Sequence, residues 1–163
     1  NFIGTLAVTQ AMLPLLRKSQ AGRIVNLSSA LGSLSINSDP SSPFYSARLI
    51  GYNASKAAVN MLTAQLSAEL RDTPIVVNSV SPGYVKTDLT GHTGFMTPAE
   101  GARMPVKYAL LGDEAVSGQF GGPDGHTPWE NPVARLEDAA AARGDCFARS
   151  HIPAADSAVP AIR

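Results

Sequence analysis

Two short runs rich in β-branched residues set the tightest limit on what this chain can fold into. Ile24-Val25-Asn26-Leu27-Ser28 and Ile75 to Val80 are apolar, too short for stable helices and bounded by turn residues, the signature of buried strands. Segments with helical period flank them. Over residues 2–18, Val8, Met12, Leu15 and Leu16 share a face, and Arg17 and Lys18 sit where a helix C-terminus favours cations. Pro14 predicts a kink or a loosened turn there. Over residues 52–71, Ala58, Met61, Leu62, Leu66 and Leu70 form a second apolar stripe, stopped by Asp72-Thr73-Pro74. Thr97-Pro98-Ala99-Glu100 has capping-box spacing with proline at the first helical position, so a third helix is predicted to about Leu111, ended by Gly112. A weaker last strand is predicted over Ala115 to Phe120. The order helix, strand, helix, strand, helix, strand implies right-handed crossovers, hence an α/β fold with a doubly wound parallel sheet and helices on both faces.

Two stretches fall outside this rhythm. Residues 32–51 hold Gly32, Pro40, Pro43, Gly51, many serines and Asn37-Ser38-Asp39, the composition of a loop. Its length for a compact domain points to function. Residues 130–163 are alanine-rich without a sustained period, so a weakly ordered tail, with a short helix near 134–143, is expected after a domain of residues 1–129. The 163 residues suffice for one domain with a core.

Bulk properties narrow the partners. Thirteen basic and thirteen acidic residues balance, giving no electrostatic reason to expect nucleic acid or an acidic membrane surface. No apolar run approaches the roughly 18 residues of a membrane span. Cys146 stands alone, which excludes an internal disulfide and suits a reducing, cytoplasmic setting. The chain begins at Asn1 without methionine or a visible secretory signal, so a truncated chain is the expectation.

The chemistry concentrates in three places. In Tyr52-Asn53-Ala54-Ser55-Lys56 the tyrosine and lysine stand four apart, on one helix face. An ammonium near a phenol favours the phenolate, and such a tyrosine can exchange a proton with a carbonyl or alcohol oxygen. A Y-x-x-x-K spacing also arises on ordinary solvated helices, so position must decide. Ligands of parallel sheets bind at the carboxyl ends of strands. The first strand ends there in Ser28-Ser29, and the second in Ser81-Pro82-Gly83-Tyr84-Val85-Lys86-Thr87.

Together, Gly22 to Ser29, Tyr52 to Val59 and Val77 to Thr87 resemble the catalytic half of the short-chain dehydrogenase/reductase family, over roughly residues 1–129. The long loop before the tyrosine helix is similar to that of carbonyl-reductase-like members. The resemblance implies Tyr52 as general acid/base and as a cofactor contact, and Lys56 as the group that lowers its pKa and binds the nicotinamide ribose. It implies Ser29, three residues before Gly32, as the residue orienting the substrate carbonyl, with Ser28 the weaker choice. Asn1, in Asn1-Phe2-Ile3-Gly4, would hold a water in a proton relay. Pro82, Gly83 and Thr87 would contact the nicotinamide end of NADP or NAD, with NADP favoured. The implied substrate is a small-molecule carbonyl or alcohol, and no metal is implied. The loop ahead of the helix implies a monomer rather than a tetramer.

The resemblance has gaps. The family's opening strand, glycine-rich pyrophosphate turn and helix have no counterpart in these residues. Gly118-Gln119-Phe120-Gly121-Gly122-Pro123-Asp124-Gly125 is glycine-rich, but no helix pattern follows it, so a terminal turn is expected there. The strand at 24–28 should lack a neighbour on one side, an aggregation hazard, and weak cofactor binding and marginal stability follow. Two other functional readings stay open: an inactive degenerate fragment, or a scaffold that pairs through its sheet edge with a complete relative. His92, His126 and His151 lack metal-ligand spacing and read as surface residues. Tyr45, Tyr84, Phe44, Phe95 and Met96 suit either a pocket wall or ordinary packing.

Overall fold

A computed structural model describes residues 1–112 and 114–129. The chain divides into two units, Asn1–Asn131 and Pro132–Arg163, and the first holds every described residue. The expected tail, Cys146 and His151 lie outside the described residues.

The first unit runs α1 (Phe2–Leu16), β1 (Arg23–Leu27), a 3-10 turn (Ala30–Gly32), α2 (Leu34–Ser38), α3 (Ile50–Glu69), β2 (Val76–Val80), a second 3-10 turn (Asp88–Thr90), α4 (Pro98–Ala109), β3 (Phe120–Gly122) and β4 (Gly125–His126). The sheet order is β1-β2-β3-β4. Its first three strands are parallel, with Val25 opposite Asn78 and Ser79 opposite Phe120. The expected α/β architecture is therefore present, with one addition: β4 returns antiparallel to β3. The glycine-rich segment forms this small hairpin, turning through Gly125 at φ 110°.

Side chains on a strand alternate between faces. Asn26 reaches Thr63 on α3, whereas Arg23 donates to the carbonyls of Leu111 and Gly112 just past α4, both at 3.0 Å. An odd separation puts Arg23 and Asn26 on opposite faces, so α3 and α4 cover opposite sides of the sheet. The core between α3 and the sheet contains Val59, Leu66, Leu70, Val77 and Phe120, all essentially fully buried, and Val80, equally buried, points to the opposite face. A polar thread crosses it: Asn26 Nδ2 donates to Thr63 Oγ1 at 2.7 Å, and Thr63 shares a 2.8 Å bond with Ser79. Burial of these groups is tolerable because each finds a partner.

Three expectations need correction. Residues 32–51 are not wholly loop, because Ser33 caps α2 by accepting the Ile36 N–H at 3.2 Å. The last parallel strand begins at Phe120 rather than Ala115, since Gly118 at φ 78° breaks the extended backbone. The segment before it is instead held by side chains: Asn78 Nδ2 donates to the Val116 carbonyl at 3.0 Å, and Asn78 Oδ1 accepts the Gln119 N–H at 2.7 Å. The first helix also ends at Leu16, two residues early, with Arg17 as its cap. Arg17 pairs with Glu69 of α3 at 3.5 Å. Pro14 lies in the last turn, where it removes the N–H that would bond the Gln10 carbonyl, and α1 nevertheless continues past it to Leu16.

The capping box of α4 is formed as its spacing predicted. The Thr97 N–H donates to Glu100 Oε2 at 2.8 Å, and the Glu100 N–H donates to Thr97 Oγ1 at 3.3 Å. The bond from the Thr97 backbone, then that from its hydroxyl, hold the Glu100 carboxyl below the usual carboxylate range. A lowered carboxylate pKa stabilises above its unfolded value and loses that contribution as pH falls through the folded value. Replacing Thr97 by Ala should cost about 1 kcal/mol of stability in urea at neutral pH. The difference from wild type should shrink as pH is lowered through the Glu100 titration. Among the described residues, no helix is long and apolar enough to cross a membrane.

Candidate active site

The carboxyl ends of β1 and β2 are joined by the Ser28 N–H donating to the Val80 carbonyl at 2.8 Å and, just beyond, by the Ala30 N–H donating to Ser81 Oγ at 3.1 Å. The two serines after β1 diverge there. Ser28 is buried and donates to the Lys56 carbonyl at 3.3 Å, fixing β1 against α3. Ser29 is half-buried, and its oxygen caps the 3-10 turn by accepting the Leu31 N–H at 3.2 Å. The Ser29 hydroxyl hydrogen has no acceptor among the described residues and is free to be donated.

Gly32 sets how close this turn comes to α3. A Cβ there would stand 2.7 Å from the Lys56 carbonyl carbon, 2.8 Å from Lys56 Cβ and 2.9 Å from the Lys56 oxygen. Only hydrogen fits, and the contact brings the serine turn against the helix turn that carries Tyr52 and Lys56. Asn60 Nδ2 reinforces it by donating to the Gly32 carbonyl at 3.2 Å.

Tyr52 and Lys56 are both half-buried on α3. Lys56 Nζ lies 5.7 Å from the centre of the Tyr52 ring and donates to the Leu27 carbonyl at 2.8 Å. Burial lowers the Lys56 pKa below its usual value, because the charged form loses hydration. Asn1 also arrives at this turn. Its Nδ2 donates to Ser55 Oγ at 3.1 Å, and Ser55 Oγ donates to the Tyr52 carbonyl at 2.7 Å. The structure thus gathers Asn1, Tyr52 and Lys56 around one turn of α3, with the Ser29 turn packed against its backbone. Ser55 was given no role of its own from the sequence. Its place inside the motif was the available signal.

Pro82, Gly83 and Thr87 follow β2 at the same end of the sheet. Gly83 has φ 86°, and a side chain there would strike Met96 Sδ and Pro123. The loop beyond it closes on itself. Val85 bridges Met96, the Tyr84 and Phe95 rings meet edge-on at 6.1 Å, and Tyr84 bonds Thr93 through their hydroxyls. Thr87 precedes the second 3-10 turn and accepts the His92 N–H on its carbonyl at 2.9 Å. His92 itself is exposed and pairs with Asp88 at 2.9 Å. Tyr45 packs beneath the Arg48 guanidinium, 4.1 Å from its ring centre. The segment ahead of α3 is tied down by Asn53, whose Nδ2 donates to Asn37 Oδ1 at 2.8 Å and to the Ala47 carbonyl at 3.0 Å. Among the described residues no cluster of His, Cys, Asp or Glu could hold a metal ion.

A sheet with helices on both faces and polar side chains gathered at its strand ends defines an α/β protein of the doubly wound class. The chain belongs to the short-chain dehydrogenase family, whose family model matches residues 1–96. It is 32% identical to (-)-isopiperitenone reductase of Mentha piperita, over 74% of this chain and 48% of that protein. It is also 32% identical to C-signal of Myxococcus xanthus, over 79% of this chain and 74% of that protein. Among solved structures, NADPH-bound carbonyl reductase from chicken fatty liver aligns with a TM-score of 0.65 at 30% identity, covering 79% of this chain and 54% of the other. The chain therefore spans about half the length of most of these relatives, and about three quarters of C-signal.

Proposed function

We propose that this chain supplies the proton-transfer half of an NAD(P)-dependent oxidoreductase that interconverts a small-molecule carbonyl and its alcohol. The observation that carries this reading is the single turn of α3 on which Tyr52, Lys56 and, through Ser55, Asn1 converge. In the reducing direction the Tyr52 hydroxyl gives its proton to the substrate oxygen, and the Ser29 hydroxyl donates a hydrogen bond that holds that oxygen. The Lys56 ammonium, near the ring, favours the phenolate that remains. Asn1 orders the start of α1 beside them and holds the water through which the proton is replaced. The reverse reaction uses the same groups in the opposite protonation states.

Reduced nicotinamide supplies the hydride when bound. The residues at this end of the sheet suit its ribose and ring: Lys56 offers an ammonium, and Pro82, Gly83 and Thr87 offer a surface on which Gly83 presents no side chain. NADP is favoured over NAD, consistent with the NADPH-bound relative. The pyrophosphate is different. No strand, glycine-rich turn and helix in succession occurs among the described residues, so this chain alone should hold the dinucleotide weakly. Titrating the 163-residue chain with NADPH by calorimetry should give a dissociation constant no tighter than about 1 mM. Micromolar binding would show that these residues suffice. Adding a panel of ketones and aldehydes and following loss of reduced nicotinamide tests the reaction itself.

The remaining assignments rest on the same reading. The domain is taken as residues 1–129, the setting as cytoplasmic and the preferred state as monomeric, because α2 and its flanking loop cover part of α3 through Asn37 and Asn53. Among the described residues β1 has a neighbouring strand on one side only, which favours one alternative, a scaffold that pairs with a complete relative. Co-purification with such a relative, without turnover, would favour it.

A further inference from the structure

Two asparagines that the proposed proton transfer does not use join the serine turn to the tyrosine turn. The Ser29 oxygen accepts the Leu31 N–H at 3.2 Å, and the Leu31 carbonyl accepts Asn37 Nδ2 at 2.7 Å. The second hydrogen of that amide goes to the Ser33 carbonyl, also at 2.7 Å. Asn37 Oδ1 in turn accepts Asn53 Nδ2 at 2.8 Å, and the second hydrogen of Asn53 goes to the Ala47 carbonyl at 3.0 Å. Asn53 is the residue after Tyr52. A hydrogen-bonded path therefore runs from Ser29 to the neighbour of Tyr52.

The path has a fixed direction. Each asparagine gives both of its side-chain hydrogens to carbonyl oxygens. Turning the Asn37 amide over would set its oxygen against the Leu31 and Ser33 carbonyls, and turning Asn53 over would set oxygen against Ala47 and Asn37. Acceptors cannot bond acceptors, so both amides are locked. Asn53 Oδ1 is buried with no partner among the described residues. Leaving an acceptor unpaired is costly, so this side chain is held here by its donors.

The serine turn is thus attached to α3 at two places. At one, Gly32 lies against the Lys56 backbone and its carbonyl accepts Asn60 Nδ2. At the other, Asn37 and Asn53 carry the attachment to the turn of Tyr52. One attachment lets a short turn pivot, and two fix its orientation. Tyr52 stands on a helix of 20 residues, held by its own backbone bonds, whereas the turn Ala30–Gly32 has three. Cutting the second attachment would therefore move Ser29 and leave Tyr52 in place.

We propose that Asn37 and Asn53 are positioning residues, an amide brace that sets the Ser29 hydroxyl where it can hold the oxygen to which Tyr52 gives its proton. This rests on the carbonyl–alcohol reading above. A misplacement of about 1 Å in such a site costs on the order of 10²-fold in rate.

Initial rates of ketone reduction by the 163-residue chain at millimolar NADPH test this. Asn53→Leu, similar in size but without donors, should lower kcat about tenfold or more while the KM for NADPH stays within about twofold. Asn37→Asp keeps an acceptor for Asn53 but sets oxygen against the Leu31 and Ser33 carbonyls, and should act alike by cutting the path at its other end. In a Ser29→Ala chain, Asn53→Leu should lower kcat by less than about a further twofold, because the group it places is gone. An equal fall in both backgrounds, or an unchanged kcat in Asn53→Leu, overturns the proposal. Tyr52→Phe separates it from the reading beneath. If Tyr52→Phe leaves the rate unchanged, or wild type shows no turnover, the oxidoreductase reading falls and the brace with it. If Tyr52→Phe loses turnover and Asn53→Leu does not, the brace alone falls. One measurement on wild type stands apart from the folding of any variant. The side-chain amide hydrogens of Asn37 and Asn53 should exchange with water more slowly than those of exposed Gln20, and equal rates would show that the brace is not made.

Discussion

Tyr52→Phe should lower kcat for carbonyl reduction by about 10²–10⁴-fold, the usual contribution of a positioned acid or base. The assay belongs in a chain that carries residues 1–163 joined to the pyrophosphate-binding half of a relative, so that the nicotinamide is held. Phenylalanine keeps the ring above Lys56 and removes only the hydroxyl. Nothing in the packing of α3 depends on that hydroxyl, for which no hydrogen-bond partner occurs among the described residues. NADPH affinity and thermal stability should therefore stay close to wild type while kcat falls. This separates loss of the proton donor from loss of binding. Undiminished reduction by the variant would remove Tyr52 from the reaction. Lys56→Met in the same protein should weaken both NADPH binding and turnover, because it removes the cation and the ribose contact together.

Gly32→Ala should destabilise the fold by about 2–4 kcal/mol, at or above the usual cost of overpacking. The added Cβ would meet the Lys56 backbone at 2.7–2.9 Å, and backbone in mid-helix cannot swing aside as the end of a flexible side chain can. The 3-10 turn would have to lift from α3. Two bonds would stretch with it, Ser28 to the Lys56 carbonyl and Asn60 to the Gly32 carbonyl. The same movement would draw Ser29 away from Tyr52, so turnover should suffer even in molecules that remain folded. Gly51→Ala is the control. A Cβ at Gly51 meets nothing within 4 Å, and alanine in the first turn of α3 should stabilise by about 0.4–1 kcal/mol. Urea midpoints of the two variants should move in opposite directions. A small shift at Gly32 would mean that the turn and helix are not in such close contact in solution.

Both expectations begin from features that differ in how well they can be read from sequence. The pairing of Tyr52 with Lys56 follows from helical period alone, since residues four apart share a face whatever surrounds them. The strands β1 and β2 and the helix α3 were legible because their burial imposes a period on their residues, whereas α1 was legible from the helical spacing of apolar residues of which Val8, Met12 and Leu15 are exposed. The α4 capping box was legible because its contacts are local. By contrast α2 spans only five residues, Leu34–Ser38, too few to print a period. Its stability comes from distant groups, including the Ser33 hydroxyl that donates to the Pro128 carbonyl at 2.6 Å. The start of β3 depends on Asn78, about forty residues earlier, whose amide holds the incoming segment. No window of adjacent residues contains that information.

For the site, the identities of Ser29, Asn1, Pro82, Gly83 and Thr87 came from resemblance to a family, and the structure shows where they lie. Ser29 and Ser28 are neighbours of the same type, and only the packing of α3 makes one a buried brace and leaves the other with a free hydroxyl. The bridge through Ser55 from Asn1 to Tyr52, and the hold of Lys56 on Leu27, both involve partners far apart in the chain. The second ends on a backbone carbonyl, which has no side-chain identity to read.

The alternation of short β-branched runs with amphipathic helices determined that this chain folds as an α/β sheet with Tyr52 and Lys56 on one helix face. That information is local, because side-chain period and backbone geometry are fixed within a few residues. How near Gly32 lets the serine turn approach, which of Ser28 and Ser29 is buried, and where the Lys56 ammonium rests were decided only by the tertiary structure. Each depends on how two distant segments pack against each other.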